Sequence, residues 1–194
     1  MKILFVNHDI SHYGAATSLS LMLRNNSSLD FDMIVPQKGK YEEEDIRSRF
    51  NLRDGKLFFH KLSLDMSCYV GGFKKRITFK ERICKKIEER KFFISFLYLA
   101  IFGRYDLVYI NSIVLYRYIT KYNKTLIHIR ERYEKNGKPV LEYINKASGV
   151  IFIDNATFSP FTDSISTKYK IINNPFDMTG LDAKSHTDNF EHFD

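Results

Sequence analysis

Two polar pairs stand where apolar runs end: Asn111 and Ser112 close DLVYINS, and Arg130 and Glu131 follow TLIHI. A guanidinium offers a planar fork of donors suited to phosphate or carboxylate, and a neighbouring carboxylate accepts from sugar hydroxyls or orients the fork. The same residues also fit a surface ion pair beside two helix caps, an arrangement worth little energetically. Upstream, HDISHYGAATSLSLML runs from a polar loop through Gly14, Ala15 and Ala16 into a helix with Leu19, Met22 and Leu23 on one face. Small residues at a helix start leave free N–H groups open to an anion or a sugar hydroxyl, and Gly14 permits a tight turn. The run has neither G-x-G-x-x-G nor the lysine of a P-loop, so alone it also fits an ordinary strand-to-helix turn. His8, Asp9 and His12 share that loop. A spacing of four joins two metal ligands only on a helix, and these residues precede the helix, so no metal site is expected. His128 lies one step inside its run and reads as a satisfied core histidine, while Asp154 and Asn155 read as a helix N-cap.

The elements that must position these residues alternate in type. Short β-rich runs occur at Lys2–Asn7, Phe31–Val35, Lys56–Leu62, Asp106–Ile110, Thr125–Ile129, Gly149–Ile153 and Lys168–Asn173. Helical stretches fill the intervals: Ala15–Asn25, Tyr41–Phe50, a longer segment, whole or broken, over roughly Phe73–Phe102, then Ile113–Tyr122, Pro139–Lys146 and Asn155–Thr162. Continuous apolar strands suit a sheet covered on both faces, and the alternation predicts an α/β fold: a Rossmann-like parallel sheet of about seven strands with helices on both sides. In such a sheet ligands collect beyond the carboxyl ends of the strands, where the strand order reverses. The pairs at 111–112 and 130–131 both fall at carboxyl ends. Residues 178–194 are polar and acid-rich without apolar period, and read as a truncated linker or disordered tail after a domain over 1–177.

Composition narrows the class. A chain of 194 residues with 44% hydrophobic and 15% aromatic content can bury one core and is neither disordered nor fibrous. Cys68 and Cys84 have no C-x-x-C spacing, and MKILFV turns polar at Asn7 without a signal-like pattern, so a cytoplasmic location with reduced thiols is expected. The longest apolar run, Phe92–Phe102, falls well short of the roughly 20 residues of a spanning helix.

The ordered set MKILFVNH, GAATSL, DLVYINS, IHIRE, ASGVIFIDNA and KYKIINNPFD resembles the N-terminal, acceptor-side domain of family-four, retaining glycosyltransferases of the GT-B type, from Met1 to about Asp177. The resemblance implies that Gly14, Ala15 and Ala16 approach the acceptor and the donor diphosphate, though the family usually shows two glycines there. It implies that Arg130 and Glu131 stand for the polar pair ending the fifth strand, with Asn111 and Ser112 beside them as substrate-binding residues. A register error of two would exchange the roles of the pair and His128. It also implies that NNPFD, with Asn174 and Pro175, is the crossing into a second domain, which would hold the nucleotide-sugar pocket. No cofactor is then expected on this domain alone. The nucleotide-sugar donor would need a C-terminal donor-binding domain in cis or trans, and the chain would be inactive by itself. The expected partner is a glycan or lipid-linked acceptor. The alternatives are a non-catalytic glycan-binding module and, less favoured, a nucleic-acid-binding domain, for which no exposed aromatic sheet face is expected.

The charge has a location. Between Gly71 and Lys91, nine basic residues face three acids, nine minus three giving +6 of the chain's net +7. Lys74, Lys75, Arg76, Lys80, Lys85 and Lys86, set beside Phe92, Phe93, Phe96, Leu97, Leu99 and Phe102, combine cations with insertable apolar groups, and predict peripheral docking on an anionic membrane at its inner face. A solvated basic helix followed by a core helix is the competing expectation.

Overall fold

The computed structural model describes residues 1–8, 10, 14–26, 28–35, 41–60, 78–133 and 138–174. Seven strands run through them: β1 (Lys2–Val6), β2 (Asp30–Val35), β3 (Leu57–Phe59), β4 (Leu107–Ile110), β5 (Thr125–Ile129), β6 (Gly149–Phe152) and β7 (Tyr169–Ile171). They form one sheet in the order β3-β2-β1-β4-β5-β6-β7, parallel at every pairing. The order reverses between β1 and β4, where Val6 pairs with Ile110. A crevice is thereby created at their carboxyl ends.

Both faces are covered, which is why the strands read as unbroken apolar runs. On one side Leu4, Val6, Ile34, Ile110, Ile127 and Ile129 meet Phe92 and Phe96 of α3 (Phe79–Phe102). On the other, Ile3, Phe5, Met33 and Val35 meet Leu19 and Leu23 of α1 (Gly14–Arg24) together with Ile46 of α2 (Glu43–Arg49) and Phe50. Each such fully buried large apolar side chain contributes roughly 1.5–3 kcal/mol of burial free energy.

The long helix is a single element over its described length. A capping box starts it: Thr78 N donates to Glu81 Oε2 at 2.7 Å, and Thr78 Oγ1 accepts from Glu81 N at 3.3 Å. It stops at Gly103, where an added Cβ would run into Leu99 O at 2.5 Å. Phe92, Phe96 and Leu99 are in the core, which corrects their expected role as membrane-inserting groups. Lys80, Lys85 and Lys86 lie on this helix; Lys74, Lys75 and Arg76 lie outside the described residues, as do Cys68 and positions 175–194.

Two crossovers depart from the helical expectation. Residues Ile113–Tyr118 form a 3-10 segment instead of an α-helix to 122. Leu115 N reaches Ser112 O at 3.3 Å, and every residue of the segment except Arg117 is buried. β-Branched and aromatic residues resist α-helix, and with no solvated stripe the segment tightens to fit between strands. Likewise 155–162 splits into a short α5 (Asn155–Phe158) and a 3-10 turn at Ser159–Phe161 that contains Pro160. Between β5 and β6, α4 (Lys138–Ile144) completes the set.

At the amino ends of the strands, far from the crevice, Asp32 is 3% exposed. Its carboxylate accepts from Lys56 N at 2.6 Å and Tyr105 Oη at 2.5 Å, and pairs with Lys2 Nζ at 3.0 Å. Burial pushes its pKa up, but the bonds from Lys56 N–H, Tyr105 and Lys2 outweigh that and hold it below the usual value. Asp32→Ala strands these donors, and is expected to cost roughly 3 kcal/mol, read as a lower urea midpoint at unchanged m.

Candidate ligand site at the switch point of the sheet

β4 and β5 carry a period of two that a purely apolar reading overlooks. Val108 and Ile110, like Ile127 and Ile129, point to the α3 side. The residues between and after them, Tyr109, Asn111, His128 and Arg130, occupy the α1 side, with Ile110 paired to Ile127 fixing the register. Two adjacent strands thus present a polar column toward the crevice.

Asn111 is 0% exposed and spends both ends of its amide internally. Its Nδ2 donates to Asn7 Oδ1 at 2.9 Å and to Ala15 O at 3.1 Å, and its Oδ1 accepts from Arg130 Nε at 2.9 Å. Asn111 therefore organises the site and ties the ends of β1, β4 and β5 to the start of α1. Ser112 Oγ donates to Glu131 Oε1 at 2.6 Å, and Glu131 Oε2 accepts from Ile113 N at 3.1 Å and Arg130 N at 3.3 Å. That carboxylate stands at the start of the 3-10 segment, where free N–H groups favour an anion.

Arg130 is 9% exposed and its partners are neutral: Asn111, Asn174 beyond β7, and Tyr109. Among the described residues no carboxylate lies within ion-pair distance of its guanidinium. Burial pushes its pKa down, with Tyr109 and Glu131 opposing. A cation whose direct hydrogen-bond partners are neutral, with the Glu131 charge beyond contact, is electrostatically suited to an incoming anion.

His128 lies on the same face and is 5% exposed. Its Nδ1 is 2.5 Å from Tyr109 Oη. Nδ1 is engaged whichever of the two groups supplies the proton, and the other ring nitrogen is Nε2. That Nε2 is buried and has no hydrogen-bond partner among the described residues. The histidine is thus half-satisfied, not the fully satisfied core residue read from the sequence. Burial, and secondly the charge of Arg130, push its pKa down to about 3, so it is neutral near pH 7. Burial also pushes the Tyr109 hydroxyl up to about 12.

The turn at the start of α1 divides its three small residues. Gly14 is exposed at φ +55, a left-handed conformation that favours glycine, and a Cβ there would meet nothing within 4 Å. Ala15 is half-buried and turns its carbonyl to Asn111. Ala16 is 1% exposed, with its side chain among the core residues under α1, so what it offers the turn is its backbone. Asp9 and His12 lie outside the described residues. Asp154 caps α5 through Thr157 N at 2.6 Å. Asn7, Tyr109 and Asn174 were not singled out as site residues; the alternation of polar and apolar positions in VYIN and IHIR is the signal that would have found Tyr109. Beside the turn a groove of about 590 Å³ opens between α1 and α2, lined by Thr17, Ser20, Arg24, Tyr41, Asp45 and Arg49 among others. Arg49 crosses it to Ile10 O at 2.5 Å and Thr17 Oγ1 at 3.2 Å.

No protein-family model matches the sequence, and no curated protein does. Solved structures do match. HepE from Anabaena, in complex with UDP and glucose, superposes with a TM-score of 0.59 at 16% identity over 92% of this chain and 45% of its own. The fold is GT-B glycosyltransferase-like. Sucrose-phosphate synthase from Thermosynechococcus elongatus gives 0.50 at 14% identity, over 89% of this chain and 88% of that one. UGT73P12 from Glycyrrhiza uralensis, complexed with glycyrrhetinic acid 3-O-monoglucuronide, gives 0.50 at 9% identity over 88% and 48%. This chain therefore spans about half the length of HepE and of UGT73P12 while sharing their Rossmann-like α/β architecture.

The neutral His128 carries a pH signature. Its folded pKa lies below the unfolded value near 6.5, so the unfolded chain binds the extra proton and stability falls as pH drops through and below 6.5. Between pH 7 and pH 5 this loss is on the order of 2 kcal/mol. His60, whose pKa burial also lowers, acts in the same direction, so the comparison must be with a His128→Phe variant. Urea unfolding at both pH values is expected to show a markedly shallower pH dependence in the variant.

Proposed function

We propose that this domain is the acceptor-side half of a retaining glycosyltransferase, which moves a sugar from a nucleotide-sugar donor to a lipid-linked or surface-glycan acceptor. The observation that carries the reading is Arg130, a buried cation with neutral partners at the switch point of a GT-B-like sheet. The partly exposed start of α1 faces the same crevice through Ala15 O and Asn111. In this reading Arg130 holds a phosphate oxygen of donor or acceptor, and Asn111, with both ends of its amide engaged, fixes the fork. The Gly14–Ala15 turn lets a ligand approach the backbone, and Ser112 and Glu131 hold the β4 and β5 loops in register. The hydroxyl-rich groove between α1 and α2 supplies groups suited to sugar hydroxyls.

Transfer from a nucleotide sugar rests on positioning and on stabilising the departing diphosphate. The chain spans 45% of HepE, so the remaining part of the machinery is assigned to a donor-binding domain in cis or trans. A glycan-binding module without catalysis would share the crevice but give no transfer when such a domain is supplied.

Two measurements test the reading. The 194-residue chain alone is expected to turn over no nucleotide sugar above a buffer blank; clear transfer would overturn the division of labour. Calorimetry with inorganic pyrophosphate is expected to show binding that weakens on the order of 10- to 100-fold in Arg130→Gln, the loss of one charge-assisted contact. Arg130→Lys, which keeps the charge without the fork, is expected to fall between. Absent binding, or binding indifferent to Arg130 in a variant of normal melting temperature, would remove Arg130 from the site.

A further inference from the structure

Outside the crevice, α3 is the element whose surface the fold does not account for. At about 100° per residue, Phe92, Phe96, Leu99 and Ala100 gather on one side of the helix and are buried. The opposite side carries a second apolar stripe, Phe79, Ile83, Ile87, Ile94, Tyr98 and Ile101, at helical spacing along its whole length. This stripe is exposed, Phe79 at 76%, Ile94 at 66% and Tyr98 at 63%. A helix that packs on its own sheet needs one apolar face. From 79 to 91 no residue of α3 is buried, so its first turns stand clear of the described core.

The charges are sorted in the same way. Lys80, Lys86, Arg90 and Lys91 lie on the half of the circumference that bears the outer stripe, and no Asp or Glu lies there. Glu81, Glu88 and Glu89 all lie on the other half. Glu81 is held in the capping box with Thr78, Glu89 faces Lys85 at 4.0 Å, and Glu88 reaches Lys91 at 2.8 Å where the halves meet. An ordinary solvated helix alternates its signs around an exposed face. This one instead sets aliphatic groups in a field of cations.

We infer that the outer face of α3 docks on an anionic lipid surface, with the helix axis in the plane of the surface. This rests on the two stripes of α3 and not on the reading of the crevice. Stable peripheral binding needs both insertable apolar surface and attraction to anionic headgroups, and the two coincide on this face alone of the helix. Twenty-four residues give a contact about 36 Å long. None of the described helices is long and apolar enough to cross a membrane. A second copy is a poor occupant, because apposed faces would bring like cations together. Nucleic acid is a poor one too, because isoleucines provide no stacking platform. The face is not the one composed of Phe92, Phe96 and Leu99 that composition suggests.

The test is co-sedimentation of the full chain with vesicles of phosphatidylcholine alone and of equimolar phosphatidylcholine and phosphatidylglycerol. Binding is expected to the anionic vesicles and not to the neutral ones. Lys86→Gln with Arg90→Gln is expected to weaken it roughly 30-fold. Arg82→Gln with Lys85→Gln removes the same charge from the other half and should change it less than a few fold. Ile83→Asn with Ile94→Asn is expected to weaken binding about tenfold or more. None of these positions is buried, Lys85 being the least exposed of them, and melting temperatures verify folding. Equal loss from the two charge pairs, equal binding to both vesicle types, or no binding at low salt overturns the proposal. So does a lipid-free dimer that Ile94→Asn dissociates, which would give the face to a second copy.

Discussion

A buried amide has to have both ends of its dipole met, and Asn111 meets that requirement by tying three loops and a helix start together. The reversal of strand order puts β1 beside β4, so the residues following them, Asn7 and Asn111, lie side by side away from water. Their mutual hydrogen bond closes the floor of the crevice. Everything above that floor takes its position from it: the first turn of α1 hangs on the Ala15 carbonyl, and the Arg130 fork is oriented through Asn111 Oδ1.

The electrostatic character of the site follows from what surrounds that floor. Arg130, Tyr109 and His128 lie together on one face of the sheet, the phenol hydrogen-bonded to the imidazole and the guanidinium close to both. Burial first, and then the cost of a second positive charge beside Arg130, suppress protonation of the histidine. Glu131, the nearby acid, is spent on Ser112 Oγ and Ile113 N. The guanidinium keeps its charge without a carboxylate partner among the described residues. The positive character of the crevice rests on one guanidinium with neutral hydrogen-bond partners, not on an accumulation of cations.

The opposite end of the sheet and its flank obey different constraints. Asp32 is buried too, but it meets an ammonium and two hydrogen-bond donors, so it serves cohesion between β2, β1 and the loop before β4. On α3 the constraint is geometric. A helix 24 residues long outreaches the sheet it packs on, and only its second half is held by Phe92, Phe96 and the aromatic contact of Phe92 with Tyr118 at 4.7 Å. The first half is left to the solvent side with its charges segregated.

The amino-acid sequence by itself determined the architecture. Largely apolar runs such as KILFV and TLIHI, separated by helical stretches, suit strands covered on both faces, and the seven strands lie where those runs are. It also marked 111–112 and 130–131, because carboxyl ends of strands are identifiable without knowing strand order. Strand order itself is non-local, so only the tertiary structure decided that Asn7 and Asn111 touch, that Arg130 reaches Asn174, and that Glu131 serves the backbone rather than the guanidinium. The 3-10 form of 113–118 follows from its β-branched and aromatic residues together with the burial of all but Arg117, and that burial is what local propensity does not register. For α3, apolar residues at helical spacing occur in two sets, and composition cannot tell which set is core. The choice between Phe92 with Phe96 and Ile87 with Ile94 was made by the side of the helix on which the sheet happens to lie.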